Sequence, residues 1–341
     1  MQGKQDGTLR RSPTVTLASL ARELGVNVST VSRALSERPT GVSAATVATV
    51  RRAAEQRGYR RNLAARTLRT GRSFTVGMTV ARLTDVALAS VYGGVDEASI
   101  HAGYTTFVAN TLDRADLRRR RLDLMLGRQV DGFVLADSHL DGAAIGQLDD
   151  LRVPHVLALR GLPGRLSVTT DDLVGGRLVA EHLLGLGHRR IGVVAGDVLA
   201  STGEQRTRGF LDTLDEAGVD VPQHRVVPGL FDVRSGVESA AQILATDPDV
   251  TAIFATSDAA AIGVMATLRD LGRRIPEDVA VVGYNNLDLA EALPVPLTSV
   301  DSRLFDVGTQ AMRTLLELIG GGSPGSLSLE PRLVVRASTV P

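Results

Sequence analysis

The sequence predicts an α/β chain: a small all-helical module at the N-terminus, then two doubly wound lobes built on parallel sheets. Three observations carry this. The chain has 341 residues, more than one ordinary domain needs, and 43% of them are hydrophobic, enough for large cores. Its charge is divided, although it sums to zero: residues 1–73 hold 14 Lys+Arg against 4 Asp+Glu, and the remainder holds 24 against 34. From Phe74 onward, near-continuous apolar runs alternate with helical stretches, the pattern of parallel strands covered on both faces.

Several functions are excluded by composition. There is no cysteine, so disulfides, thiolate metal sites and thiol nucleophiles are absent. The six histidines are scattered without metal-ligand spacing. "GGGSPG" (320–325) lacks the Lys-Ser/Thr of a phosphate loop, and the Gly-x-Gly-x-x-Gly fingerprint of a dinucleotide-binding dehydrogenase does not occur. No enzyme, metal or cofactor is expected. The first 20 residues lack a secretory apolar segment, and no run of about 18 apolar residues could span a membrane, so a cytoplasmic protein is expected.

The helical module is read from its spacing. Thr16 is placed to N-cap a helix whose Leu17, Leu20, Ala21 and Leu24 recur on one face, and Gly25 closes it. Asn27 is placed to cap a second helix that buries Val31, Ala34 and Leu35. Two helices around a tight glycine turn make a helix-turn-helix, whose second helix enters the DNA major groove. Its outward residues are Val28, Ser29, Ser32 and Arg33, and Thr16 and Thr30 join the DNA-facing set. An arginine can grip guanine O6 and N7 in a bidentate fashion, and Val28 can touch a thymine methyl. "VSAATVATVRRAAEQRGY" gives a third helix, capped at Ser43 and closed at Gly58.

"GVNVSTVSRAL", the "VS" before the third helix, "GY" and "NLAARTL" together resemble the N-terminal domain of the lactose-repressor/galactose-repressor family of bacterial transcription factors. Ser19 and Arg61 depart from the Asp and Pro usual there. The basic stretch "RRNLAARTLRTGRS" (60–73) then reads as a hinge. Asn62 would cap a helix from Leu63 to about Arg69. At two turns it is too short to stand alone, and it should form only beside its dimer mate on DNA. The resemblance implies that this helix lies in the minor groove and that Leu68 wedges between base pairs. Ala64 and Ala65 would allow close approach, and Arg66 and Arg69 would meet phosphates. The implied partners are a near-palindromic double-stranded operator and a second copy of the chain, as a homodimer or a tetramer.

In the body, strands are expected at 74–81, 105–110, 131–137, 154–160, 191–197, 251–257 and 279–285, with helices such as Asp172–Leu186 and Asp258–Leu271 between them. "VDGFVL", "LGHRRIGVVAG", "RTRGF", "SDAAAIGV", "IPEDVAVVGYNN" and "PLTSV" extend the resemblance over the whole chain. It implies a periplasmic-binding-protein-like body with a small-molecule effector in the cleft. The expected division is 1–60 for DNA, 61–73 for the hinge and 74–341 for effector and dimerisation. Within the last, 74–168 with 298–323 would form one lobe, and 169–297 with 324–341 the other. Polar residues at strand ends are the ligand candidates: Asp85, Asp137, Arg160, Ser257 and Asn285. Ser257 and Asp85 could equally be helix caps. Arg206 matches the family's effector-binding arginine, and Phe231 sits where several members stack an aromatic ring. This set suits the hydroxyls and apolar face of a sugar. Leu159 and Asn285 stand where many sugar-responsive members have Asp, and only 3% of residues are aromatic, so a nucleobase or nucleoside is the alternative. A solute-binding protein of a transporter is the rival from another class, and it would lack the helix-turn-helix.

Overall fold

The computed structural model describes residues 15–36, 39–59, 67, 70–142 and 145–340. The chain divides into two compact units, Met1–Ser73 and Phe74–Pro341.

The first unit carries helices α1 (Leu17–Leu24), α2 (Val28–Ala34) and α3 (Ala44–Gln56). Thr16 begins α1 with a reciprocal cap. Its hydroxyl accepts from the Ser19 N–H at 3.1 Å, and the Ser19 hydroxyl accepts from the Thr16 N–H at 2.9 Å. Serine at 19 thus does what an acid would do there. Gly25 ends the helix at φ +64°, a conformation that favours glycine. Asn27 holds the N-cap position of α2 with extended backbone, but its side chain makes no cap bond, contrary to expectation. Ser43 does cap α3, accepting from Thr46 N–H at 3.2 Å. Leu20, Ala21, Val31, Ala34, Val50 and Ala54 meet in one small core, with Leu35 half-buried at its edge. Of the hinge, Asn62, Ala64, Ala65, Arg66, Leu68 and Arg69 lie outside the described residues.

The second unit holds two six-stranded sheets. The first joins β1 (Thr75–Val80), β2 (Thr105–Asn110), β3 (Gly132–Leu135), β4 (His155–Ala158), β5 (Ser167–Thr170) and β11 (Leu327–Leu329), in the order β11-β5-β4-β3-β1-β2. The second joins β6 (Ile191–Ala195), β7 (Val226–Pro228), β8 (Ala252–Ala255), β9 (Ala280–Tyr284), β10 (Thr298–Asp301) and β12 (Arg332–Val334), in the order β12-β10-β9-β8-β6-β7. All described pairings are parallel except β10 with β12. Each sheet is covered on both faces, as its apolar runs require. In the first lobe α4 (Val86–His101) and α11 (Leu304–Ile319) pack one side, and α5 (Ala115–Leu126) and α6 (Ile145–Asp150) the other. In the second, α9 (Val233–Thr246) and α10 (Asp258–Asp270) face α7 (Asp172–Gly185) and α8 (Ser201–Glu216) across the sheet.

The expected lobe boundaries need correction. Residues 298–301 belong to the second sheet, because Thr298 pairs with Val282 beside β9, and 327–329 belong to the first, because Leu327 pairs with Val168 beside β5. Residues 169–170 also stay in the first sheet. Among the described residues the chain therefore crosses between lobes at 171, 302–303 and 330–331. The crossings are tied together. The Thr170 hydroxyl donates to the Ser302 carbonyl at 2.5 Å, and the Asp171 N–H to the Leu329 carbonyl at 2.9 Å.

Candidate DNA face and effector cleft

On α2 the side chains opposite the core are Val28, 47% exposed, and the exposed Ser29 and Arg33. One helical turn separates Ser29 from Arg33, and the Arg33 Nε donates to the Ser29 carbonyl at 3.3 Å, so the two share a face. Thr16 is exposed at the start of α1, while Thr30 and Ser32 are half-buried flanks. A residue the sequence reading missed, Arg51, donates to the carbonyls of Ala34 and Ser36 at 3.4 and 3.1 Å. It places a cation at the electronegative end of α2 and so fixes the helix that presents Arg33.

In the second unit, Asp85, Arg160, Arg206, Phe231, Ser257 and Asn285 line one cleft between the lobes, with Leu88, Leu159, Thr202 and Leu287 among their neighbours. Local structure explains each position. Asp85 N-caps α4, accepting from the Ala87 N–H at 2.9 Å, and Ser257 N-caps α10, accepting from the Ala260 N–H at 3.1 Å. Each is therefore both a helix cap and part of the cleft wall. Burial pushes the Asp85 carboxyl above its ordinary value, against the pull of Arg160 and Arg206. Asn285 follows β9 at φ +107° and accepts from the Ser302 hydroxyl at 3.1 Å, which links the cleft to an inter-lobe crossing. The Phe231 ring lies against Gly196, where a Cβ would come within 2.4 Å of it.

The two arginines are held differently. Arg206 projects from α8, which approaches α7 so closely that a Cβ on Gly176 would come within 2.2 Å of the Arg206 carbonyl oxygen. Its Nε donates to Asp172 at 2.8 Å, an Nη donates to the Thr256 carbonyl at 2.9 Å, and the guanidinium lies 3.9 Å from the Tyr284 ring centroid. Burial pushes the Asp172 carboxyl up, and Arg206 opposes it. Arg160 donates to both oxygens of Asp113, at 2.8 and 3.4 Å. Burial pushes Asp113 up too, but Arg160 and His139 outweigh it and hold the carboxyl below its ordinary value. Asp113, His139 and Asp197 bring ligand atoms within 4.8 Å of one another. Because Arg160 and His139 already occupy one Asp113 oxygen, this is an ion-pair cluster rather than a metal centre.

Asp137 is not in the cleft. It is fully buried, accepting from the hydroxyls of Thr79 and Thr111 at 2.6 Å each and from Arg118 Nε at 2.7 Å. With its oxygens committed inward, it buttresses the sheet. The signal lay in α5: Arg118 shares a face with the buried Leu122 and Met125, so this arginine had to find a buried acid.

Backbone and side-chain bonds cross the cleft mouth. Leu140 N–H donates to the Leu199 carbonyl at 2.9 Å and Gly161 N–H to the Ser201 hydroxyl at 3.0 Å, while Arg82 lies 3.6 Å from Asp232. The cavity left is about 30 Å³, room for one or two waters, so the lobes must part to admit a ligand. Among the described residues no helix is long and apolar enough to cross a membrane.

Residues 16–62 match the family model described as bacterial regulatory proteins, lacI family, and residues 180–339 match the periplasmic binding protein-like domain. The HTH-type transcriptional regulator CelR of Thermobifida fusca is 36% identical, over 96% of this chain and 99% of its own. A solved transcriptional regulator CelR–cellobiose complex superimposes with a TM-score of 0.74 at 34% identity, over 95% of this chain and 99% of that one. A lac repressor dimer bound to operator and the anti-inducer ONPF superimposes with a TM-score of 0.87 at 25% identity, over 96% of this chain and 100% of that one. With the helix-turn-helix and the two-lobed cleft, these likenesses place the chain in the lacI family of bacterial regulatory proteins, as a DNA-binding transcriptional regulator.

Proposed function

We propose that the protein is a cytoplasmic repressor, dimeric on a near-palindromic operator, and that a carbohydrate is its effector. Residues 1–60 read DNA, 61–73 form the hinge, and 74–341 bind the effector and the partner copy. Val28, Ser29 and Arg33 meet base edges, with Thr16, Thr30 and Ser32 beside them. Asn62, Ala65, Arg66, Leu68 and Arg69 meet the minor groove and its phosphates. The observation that carries the effector reading is the convergence of Asp85, Arg160, Arg206, Phe231, Ser257 and Asn285 on one inter-lobe cleft. Hydroxyls match the carboxylate, amide and guanidinium forks, and Phe231 offers one aromatic face for a sugar ring. The CelR–cellobiose complex supports the same class.

A ligand gripped by Arg206 and Asn285 in one lobe and by Asp85 and Arg160 in the other would set the angle between the lobes, and through residues 61–73 would bias pairing of the two hinges. Selection from random DNA should yield a palindrome. Arg33→Ala should relax base preference at one symmetric position per half-site by roughly 1–3 kcal/mol. Recovery of no sequence at all would remove the DNA reading. A thermal-shift screen of sugars and nucleosides tests the effector: at about 100 times Kd a true ligand adds ~2.7 kcal/mol of stability. A response to nucleosides alone would replace the carbohydrate.

A further inference from the structure

Both guanidiniums that reach the cleft carry a counter-ion of their own. Arg206 is 3% exposed and pairs with Asp172, 2% exposed, at 2.8 Å. Arg160 is 6% exposed and pairs with Asp113, also at 2.8 Å. Behind Asp113, Arg118 is matched by Asp137 at 2.7 Å, and Asp197 adds a further carboxylate to that cluster. The remaining ionisable group on the cleft wall is Asp85, which has no ion pair among the described residues. The wall and its backing thus set Arg160, Arg206 and Arg118 against Asp85, Asp113, Asp137, Asp172 and Asp197, and none of these three cations lacks a partner.

We propose that this arrangement closes the cleft to anions, and that Asp172 and Asp113 are specificity-determining residues which act through Arg206 and Arg160 to select an uncharged ligand. The inference rests on the cleft being the effector site. An arginine keeps all five N–H donors when it is neutralised. Asp172 and the Thr256 carbonyl engage two of those of Arg206, and others remain for hydroxyl or carbonyl oxygens of a ligand. A carboxylate or phosphate entering the same space must shed its water and meet a guanidinium already compensated at contact distance. It also meets Asp85, which repels it whenever ionised. A neutral polyol loses far less hydration and satisfies the same donors. Asp172 touches no ligand in this account; it sets the charge that the ligand feels.

The experiment is titration calorimetry of the full chain with matched saccharides: glucose, glucuronate and glucose 6-phosphate, and cellobiose with its uronate and 6′-phosphate. In the wild type the neutral member of a series should bind at least about tenfold more tightly than its anions, ~1.4 kcal/mol. In Asp172→Asn the ratio should shrink or invert, chiefly because the anions gain. Mere structural damage would weaken both members alike and leave the ratio unchanged. If Asp172→Asn does not fold, Asp113→Asn makes the same test at a more open site. Anions that bind the wild type as well as neutral sugars do, or a ratio unmoved in the variant that folds, would overturn the inference while leaving the carbohydrate reading intact. Silence from every member of the panel would overturn both.

Discussion

The two lobes present the same functional group to the cleft in opposite ways. The second lobe offers Arg206 from inside a helix pair, sealed against Asp172, a carbonyl and an aromatic ring. The first offers Arg160 from a strand end, sharing a partly exposed Asp113 with His139 and, at 3.9 Å, Arg118. A sealed pair has one geometry, and breaking it strands a charge. A shared cluster can redistribute its bonds. The second lobe therefore holds its cleft arginine in one fixed geometry, and the first holds its own adjustably.

The largest test of this contrast is deletion of each counter-ion. Asp172→Ala should cost about 3–5 kcal/mol of stability, because a buried guanidinium loses its partner. Asp113→Ala should cost about 1.5–3 kcal/mol, since Arg118 keeps Asp137 and solvent reaches the site. Denaturant unfolding of the two variants decides it, and equal costs would erase the distinction.

A second test uses Asp258, which holds the second lobe's loop that follows Asn285. Its carboxylate accepts from the Ser299 hydroxyl at 2.5 Å and from the Leu287 N–H at 2.7 Å, next to Asn285. Burial raises its pKa to about 6, against about 3.9 in the unfolded chain. The folded state thus binds a proton that the unfolded state has released. The stability this gives is complete below about pH 4 and is lost as the pH rises through about 6. The stability difference between wild type and Asp258→Asn should fall by about 2–3 kcal/mol from pH 4 to 7. A flat difference would mean that the carboxyl is not held this way.

The smallest expected effect is at the rim. Arg82 and Asp232 join the lobes at 3.6 Å with both side chains over 40% exposed, so Arg82→Ala should change stability by less than about 1 kcal/mol. A larger loss, measured in the same denaturant series, would mean that this exposed ion pair is a main tie between the lobes.

What the sequence made legible is the local structure, and what it left out depends on long-range pairing. Period and caps placed α1 to α3, and each of the seven apolar runs contains a strand. The short strands β5, β7, β10, β11 and β12 escaped, because "SVTT", "VVP", "TSVD", "LSL" and "RLV" carry too little pattern. The lobe assignment of 298–301 escaped because only pairing beside β9 decides it. Six of the seven cleft candidates converge: Asp85, Arg160, Ser257 and Asn285 because polar groups at the carboxyl ends of parallel strands face a common crevice, and Arg206 and Phe231 as the family resemblance implies. Asp137 reads the same way and turns inward, because its partner Arg118 arrives from a helix 19 residues away. Asp172 and Asp113, which set the charge of the cleft, look in sequence like ordinary helix-start and loop acids.

The cleft and the DNA face are proposed as the two sites of one switch. This coupling is tested most directly by measuring operator affinity with and without the saccharide found by the thermal screen, and saccharide affinity with and without operator. The two ratios must be equal, and they should lie at roughly 5–150-fold, ~1–3 kcal/mol of coupling. A saccharide that binds tightly yet leaves operator affinity unchanged would contradict the account.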